Sequence, residues 1–217
     1  ASSTGIGSID STYRANTTAG FSIVTWTDVT NETIAHGLNA APELILLKAR
    51  DNTSAYNWSV YHSALGNATY LHLDLYNNAA SGSSRWNTTD PTSTVFSWWD
   101  SNGYTNVAYC WAPVEGYSKF GSYTGDGGDV FIHTGFKPAV VIIKDCDGGS
   151  DWYIWDNKRS TYLVPSNDAA EVTDNWSNFT ALSNGFYFNS SHTVNASGDE
   201  MVYAAFAETP FKHNNAQ

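Results

Sequence analysis

The chain can be laid over itself with an offset of 94 to 97 residues, and this internal repeat constrains the fold more strongly than any other feature. Residues 36–48 run from a His through a Pro and a four-residue aliphatic stretch to a Lys, and residues 133–144 repeat that order. The Pro and the Lys are six residues apart in both segments. We therefore expect two copies of one folding unit, over residues 21–120 and 121–212.

Both aliphatic stretches predict strands rather than helices. Each is short, follows a Pro and precedes a polar loop, which is typical of a strand buried on both faces. Apolar and polar positions alternate over residues 58–61, as in a strand with one wetter side. Further predicted strands are 21–27, 70–75, 94–99, 107–112, 130–133, 185–189 and 200–207. The expected fold is all-β, with two internally repeated β-sandwich, jelly-roll-like units that are pseudo-twofold related.

The two ends of the chain carry little apolar surface. Residues 1–20 consist largely of Gly, Ser, Thr and Ala, so we expect an N-terminal arm or linker there. Residues 213–217 are expected to be a weakly packed tail.

The two cysteines, Cys110 and Cys146, allow one disulfide at most. Cys110 lies in an apolar run, where a free thiol packs as a small hydrophobic side chain. The sequence therefore favours free thiols over a bridge.

The charge balance excludes several classes of partner. Lys plus Arg number 10 against 21 Asp plus Glu, which gives a net charge of -11. Such a chain is poorly suited to neutralise phosphates, so we expect neither nucleic acid nor an anionic membrane as a partner. No apolar run approaches the roughly 20 residues that a membrane helix needs.

Several motifs together resemble a known family. The chain is similar to a duplicated domain of unknown function that recurs in marine bacteriophages, over about residues 8–212. The motifs that carry the resemblance lie at residues 17–26, 36–45, 86–96, 115–125 and 204–212. The resemblance implies a virion protein of a tail fibre or other appendage, often beside a lectin-like module. It implies no catalytic residues.

No signature of a known enzyme class occurs in the chain. Gly-x-Ser-x-Gly, His-Glu-x-x-His and a phosphate-binding loop are all missing from the sequence. His36 and His133 are repeated, but neither has a Cys or carboxylate at ligand spacing, so a role in stabilising turns is expected. We expect a non-enzymatic protein. A polysaccharide-degrading enzyme is an alternative, because pairs of Asp and Glu could act on a glycosidic bond.

One acidic loop resembles a calcium site. Asp145, Asp147 and Asp151 alternate with other residues as oxygen ligands do, but the Gly and the bidentate Glu of a helix–loop–helix calcium site are missing. We expect a solvated hairpin loop and no cofactor, with calcium as the alternative.

Aromatic residues are the strongest functional signal. The chain has nine Trp, 13 Tyr and 10 Phe, and four of the Trp lie among Asn, Ser, Thr and Asp in loop-like contexts. A flat ring beneath a sugar, with amides and hydroxyls at its rim, is a common glycan platform. The expected ligand is a host-surface glycan or receptor, and the candidate residues are Trp86, Trp98, Trp99 and Trp176.

Asn-x-Ser/Thr sequons are more frequent than random placement would produce, which favours an exposed extracellular product. The ten candidate glycosylation sites are Asn16, Asn31, Asn52, Asn57, Asn67, Asn87, Asn175, Asn178, Asn189 and Asn195. They support a rival hypothesis, in which the chain is a secreted or cell-surface subunit of a glycosylated filament and residues 1–20 add a strand to a neighbouring subunit. Both hypotheses predict a homo-oligomer that contacts other virion or filament subunits.

Overall fold

The computed structural model describes residues 5–29, 31–51, 56–82, 85–100, 102–159, 161–165 and 179–208. These residues form 17 β-strands and one short 3₁₀ turn at Thr193–Asn195, so the predicted all-β class is confirmed. Within these ranges, no helix has the length and apolar character needed to cross a bilayer.

The chain divides into two compact units. Unit 1 comprises the chain up to Leu73 together with Ala79–Pro113. Its strands are β1 (Thr12–Asn16), β2 (Phe21–Thr27), β3 (Glu32–Ala35), β4 (Leu44–Ala49), β5 (Ser59–His62), β6 (Thr69–His72), β7 (Ala80–Ser81), β8 (Val95–Trp98) and β9 (Thr105–Trp111). They form a seven-stranded sheet in the order β1-β2-β9-β4-β5-β6-β7 and a small sheet of β3 and β8, all antiparallel.

Unit 2 comprises Asp74–Asn78 and the chain from Val114 onward. Its strands are β10 (Ser118–Thr124), β11 (Asp129–His133), β12 (Pro138–Asp145), β13 (Trp152–Asp156), β14 (Tyr162–Leu163), β15 (Phe179–Leu182), β16 (Gly185–Asn189) and β17 (Glu200–Ala207). They form a five-stranded sheet in the order β10-β17-β12-β13-β14 and a three-stranded sheet in the order β11-β16-β15.

The strand order of the two large sheets is the same. The series β2-β9-β4-β5-β6 of unit 1 corresponds to β10-β17-β12-β13-β14 of unit 2, and the pair β3-β8 corresponds to β11-β16. In each unit the small sheet packs its apolar side chains against the large sheet, which gives a sandwich-like core. Unit 1 carries β1 and β7 in addition, and unit 2 carries β15.

The two aliphatic stretches form the centre of each core. Ile45 and Leu47 of β4 are fully buried, while Leu46 between them is half-buried on the other face. In β12, Val141 and Ile143 are buried and Ile142 is half-buried in the same way. Each stretch is therefore a central strand with one dry face, and the expectation of complete burial on both faces is wrong.

The N-terminal segment is part of unit 1. Residues 12–16 form β1, which pairs with β2 over its whole length, from Thr12 opposite Thr25 to Asn16 opposite Phe21. Ser8 also donates its backbone N–H to the carbonyl oxygen of Thr33. The prediction of an arm or linker over residues 1–20 is thus wrong for this stretch. Ladder hydrogen bonds hold it, although its side chains are exposed.

Both cysteines are free and buried. Cys110 belongs to the core of unit 1, as expected for a thiol that packs as a small hydrophobic side chain.

Docking of β1 can be tested at Gly37. This residue has φ of +72°, and an added Cβ would overlap the ring of Tyr13 on β1. Gly66 has φ of +70° but open space around it, so Gly66→Ala is the matched control for backbone strain alone. We expect Gly37→Ala to lower the free energy of unfolding by about 1 kcal/mol more than Gly66→Ala in urea titrations. Equal losses would contradict the docking of β1.

Candidate functional site

Polar side chains are buried together at one end of unit 1. At this end β2 finishes opposite the first residue of β9, and Glu32 of β3 lies opposite Trp98 of β8. Five residues define what we call the polar end of unit 1. They are Asp28, Glu32, Trp98, Asp100 and Asn106, each at most 4% exposed.

Hydrogen bonds hold the Glu32 carboxylate in place. Trp26 donates its indole Nε1–H to Oε1 of Glu32 at 3.0 Å, and the backbone N–H of Val29 donates to Oε2 at 3.0 Å. One oxygen of Glu32 therefore accepts from a side chain of β2, and the other accepts from the backbone of the segment between β2 and β3.

Asn106 and Asn102 fix the two aspartates. Asn106 donates its Nδ2–H to Oδ1 of Asp28 and also to the carbonyl oxygen of Tyr104. Asn102 donates to Oδ1 of Asp100 and to the hydroxyl oxygen of Tyr56. Because both hydrogens of the Asn106 amide are used, its orientation is fixed and its oxygen is left as an acceptor.

Two buried polar atoms of the polar end have no hydrogen-bond partner among the described residues: Oδ2 of Asp28 and Nε1 of Trp98. One is an acceptor and the other is a donor. A buried polar group without a partner costs about 1–3 kcal/mol, so native proteins rarely retain one without a reason.

Burial also perturbs the acids of the polar end. Desolvation raises the pKa of Glu32 to about 8. Desolvation and then the negative charge of Asp100 raise the pKa of Asp28 to about 6. The two carboxyl groups lie close enough for each to influence the pKa of the other, so they titrate as a pair.

A shallow pocket that opens to solvent lies against this end, with about 10 Å³ of room for the centre of a water-sized molecule. Its lining residues are Leu47, Ala49, Tyr56, Asn57, Ser59, Trp98, Asp100 and Asn106. Three of the five residues of the polar end thus reach the pocket wall, while Asp28 lies behind Asn106. Tyr56 meets Tyr104 edge to face, with ring centroids 5.6 Å apart.

Unit 2 shows what the fold requires at the same positions. Glu32 opposite Trp98 corresponds to Val130 opposite Phe188, and Asn106 opposite Trp26 corresponds to Met201 opposite Tyr123. The backbone N–H of Asp28 donates to the carbonyl oxygen of Tyr104, and the backbone N–H of Gly125 donates to the carbonyl oxygen of Asp199 in the same way. Gly125 is therefore the residue of unit 2 that corresponds to Asp28. The same sheet arrangement therefore forms with Val, Phe, Met and Gly. The common strand arrangement does not itself call for buried acids at these positions, which marks the polar end of unit 1 as the candidate functional site.

The predicted aromatic residues that the structure describes differ in their exposure to solvent. Trp86 lies in a turn and Trp98 is the last residue of β8, so the loop expectation is wrong for Trp98, and with exposures of 1% and 3% neither ring is an exposed platform. Trp86 donates its Nε1–H to the carbonyl oxygen of Thr69, whereas Trp98 lines the pocket. Trp99 is 38% exposed, and Trp176 lies outside the described residues.

The acidic loop of unit 2 uses its carboxylates to hold its own backbone. Asp145 is buried and accepts from the backbone N–H groups of Asp147 and Gly148. Asp147 accepts from the backbone N–H of Glu200. Among the described residues, no three His, Cys, Asp or Glu side chains gather in a group that could hold a metal ion. The calcium alternative for Asp145, Asp147 and Asp151 stays a prediction.

The sequons differ in accessibility. Asn195 is fully buried and donates its amide to the carbonyl oxygens of Gly128 and Ser190, so its prediction as a glycosylation site is wrong. Asn16, Asn31, Asn57 and Asn189 are exposed, and Asn67 and Asn87 are half-buried. Asn52, Asn175 and Asn178 lie outside the described ranges.

The two repeated histidines are not equivalent. His36 receives the N–H of Leu38 on its Nδ1 and donates its own backbone N–H to Thr94. In unit 2 the hydroxyl oxygen of Thr134 accepts from the backbone N–H of Phe136, and the backbone N–H of Thr134 donates to the carbonyl oxygen of Asn184. His36 therefore corresponds to Thr134 and stabilises a turn, as expected.

The sequence of the whole chain was compared with known families and proteins. Residues 1–210 match the family described as Domain of unknown function (DUF7483). The chain belongs to this family. The DUF7483 match carries no link to bacteriophages or tail fibres, so the virion setting stays a prediction. No curated protein and no solved structure matches the chain.

The carboxyl pair gives the DUF7483 chain a pH-dependent stability. The folded pKa of Glu32 lies above its unfolded value of about 4.3, so between about pH 4.5 and 8 the folded protein binds more protons than the unfolded chain. We expect the free energy of unfolding to fall by on the order of 1 to 3 kcal/mol as the pH rises through this window.

Glu32→Gln keeps the acceptor for Trp26 and cannot ionise, so it is expected to flatten this slope in urea titrations. Glu115→Gln changes the same charge at an exposed site and is the control. If the free energy of unfolding of Glu32→Gln depends on pH as steeply as that of the parent, the raised pKa of Glu32 in the folded protein is contradicted.

Proposed function

We propose that this protein is a non-enzymatic recognition module that binds a hydroxyl-bearing ligand, a host-surface glycan, in the pocket at the polar end of unit 1. The observation that carries the proposal is the indole N–H of Trp98, a residue of the pocket wall, which is buried and has no acceptor in the part of the chain that the structure describes. The equivalent residue of unit 2 is Phe188, which has no such donor.

A hydroxyl group fits this pocket chemically because it accepts and donates at once. It can accept from Trp98 Nε1 while it donates to a carboxylate or amide oxygen of the wall, where Asp100 and Asn106 lie. Tyr56 and Tyr104 supply aromatic surface of the kind on which sugar rings stack. The aromatic platform expected from the sequence is thus assigned to these tyrosines, and Trp98 becomes a hydrogen-bond donor.

The acids of the pocket favour binding over hydrolysis. Glycosidases place two carboxyl groups on either side of the scissile bond, roughly 5 to 9.5 Å apart. Of the described residues that line this pocket, Asp100 is the one acid. Asp28 and Glu32 do not line the pocket, so they are not placed to flank a sugar linkage in it.

The setting that we propose is an extracellular or virion surface on which several copies are displayed. A pocket of this size buries little of a saccharide, so a single site is expected to bind weakly. Several sites on a homo-oligomer raise the effective affinity without new contacts. We infer that the two units arose by duplication of one sandwich and that unit 1 later acquired the polar end.

The rival hypothesis of a glycosylated filament conflicts with ligand binding in this pocket. Asn57 is an exposed sequon residue that lines it, so a glycan on Asn57 would occupy the space that a ligand needs. The pairing of β1 with β2 inside one chain also removes the strand that this hypothesis would donate to a neighbour.

Trp98→Phe tests the proposal by making unit 1 resemble unit 2. We expect binding to an array of neutral bacterial-surface saccharides to weaken about tenfold, the effect of about 1.4 kcal/mol for one hydrogen bond. Thermal stability should change little, because the variant also removes an unpartnered donor. Trp99→Phe, at an exposed position, is the control and should bind as the parent does. Unchanged binding in Trp98→Phe would overturn the proposal.

A further inference from the structure

The structure assigns the pocket a preference for neutral over acidic saccharides, with Asp100 as the residue that sets it. This inference rests on the proposed function and names the class of ligand. Asp100 is 4% exposed, lines the pocket and is held by the amide of Asn102.

The acidic groups of this region lie close behind the wall. Asp28 is linked to the wall through Asn106, and Glu32 lies close enough to Asp28 to interact with its charge. A ligand carboxylate would therefore meet the buried carboxylate of Asp100 at the wall and two further carboxyl groups behind it. Like-charge repulsion of this kind is weakened little by solvent when the charges are buried.

Two cations lie near the same pocket, and both are engaged. Arg85 donates its Nη1–H to Oγ of Ser59 at 2.8 Å and stacks over the ring of Tyr70 at 4.2 Å. Lys48 donates its Nζ–H to the carbonyl oxygen of Tyr56. Each charge is directed at a group of the protein, so neither forms the bidentate clamp that commonly recognises a carboxylate.

The polar atoms of the wall also favour a neutral group. A ligand carboxylate can accept from Trp98 Nε1 but has no hydrogen to give to Asp100 or to the Asn106 oxygen. It would therefore form no hydrogen bond with either acceptor. A hydroxyl of a neutral sugar satisfies the donor and an acceptor together.

The test uses matched sugar pairs that differ only at C6: glucose with glucuronate, galactose with galacturonate, and mannose with mannuronate. Binding to the full chain is measured by saturation-transfer NMR and by tryptophan fluorescence, at low and at physiological salt. We expect the uronate of each binding pair to bind at least about tenfold more weakly than its neutral partner. Because the charges of the protein are buried, this difference in affinity should change little between the two salt concentrations.

Asp100→Asn separates charge from shape, since the amide retains Oδ1 as the acceptor for Asn102. We expect this variant to reduce the difference in affinity between the neutral sugar and the uronate of each pair. Its affinity for the neutral sugar should also fall, because a charged acceptor is lost. Asp129→Asn, at an exposed site on β11 of unit 2, makes the same change in net charge and should leave the difference in affinity unaltered.

The possible failures are distinguishable. If a uronate binds as well as its neutral partner and Trp98→Phe weakens both, the preference is wrong and the proposed function stands. If Asp100→Asn leaves the difference in affinity unchanged, Asp100 is not the selecting residue. If no neutral or acidic sugar binds, both the proposed function and this inference are overturned.

Discussion

Each unit is held together by the insertion of its last long strand between two strands from its first half. β9 pairs with β2 on one side and with β4 on the other, and β17 pairs with β10 and β12 in the same way. The two parts of each large sheet are joined only when the last long strand of the unit inserts between them. The hydrogen bonds at the centre of the sheet therefore connect residues that are far apart in the chain. The polar end of unit 1 sits where β9 begins, and its Asn106 is brought to Asp28 by this same insertion.

Sequence patterns predicted the parts of the fold that depend on apolar burial. The aliphatic stretches became β4 and β12, and the segments predicted at 21–27 and 185–189 became β2 and β16 with the same bounds. The patterns missed β1, β3, β7, β10, β14 and β15. β1 buries no side chain and is defined by backbone pairing alone, which leaves no hydrophobic signal in the sequence.

The candidate site was only partly predictable for a different reason. Trp98 looked like a loop residue because Ser97, Trp99 and Asp100 surround it, yet Ser97 and Asp100 are themselves buried. Burial of small polar residues depends on partners far along the chain, such as Asn106, and no local pattern reports them. The signal that could have located Glu32 was the repeat itself, since an acid stands where the second copy has Val130. The sequence repeat pairs His36 with His133, whereas the structure pairs His36 with Thr134. The sequence alignment is therefore shifted by one residue and does not pair Glu32 with Val130.

The two cysteines have a practical consequence. Burial raises the pKa of both thiols, so little thiolate forms at neutral pH and the sulfur atoms are shielded from reagents. Maleimide and iodoacetamide dyes will leave the native protein unlabelled. One cysteine engineered on the surface would then carry a fluorophore at a defined place, with no need to remove Cys110 or Cys146 first.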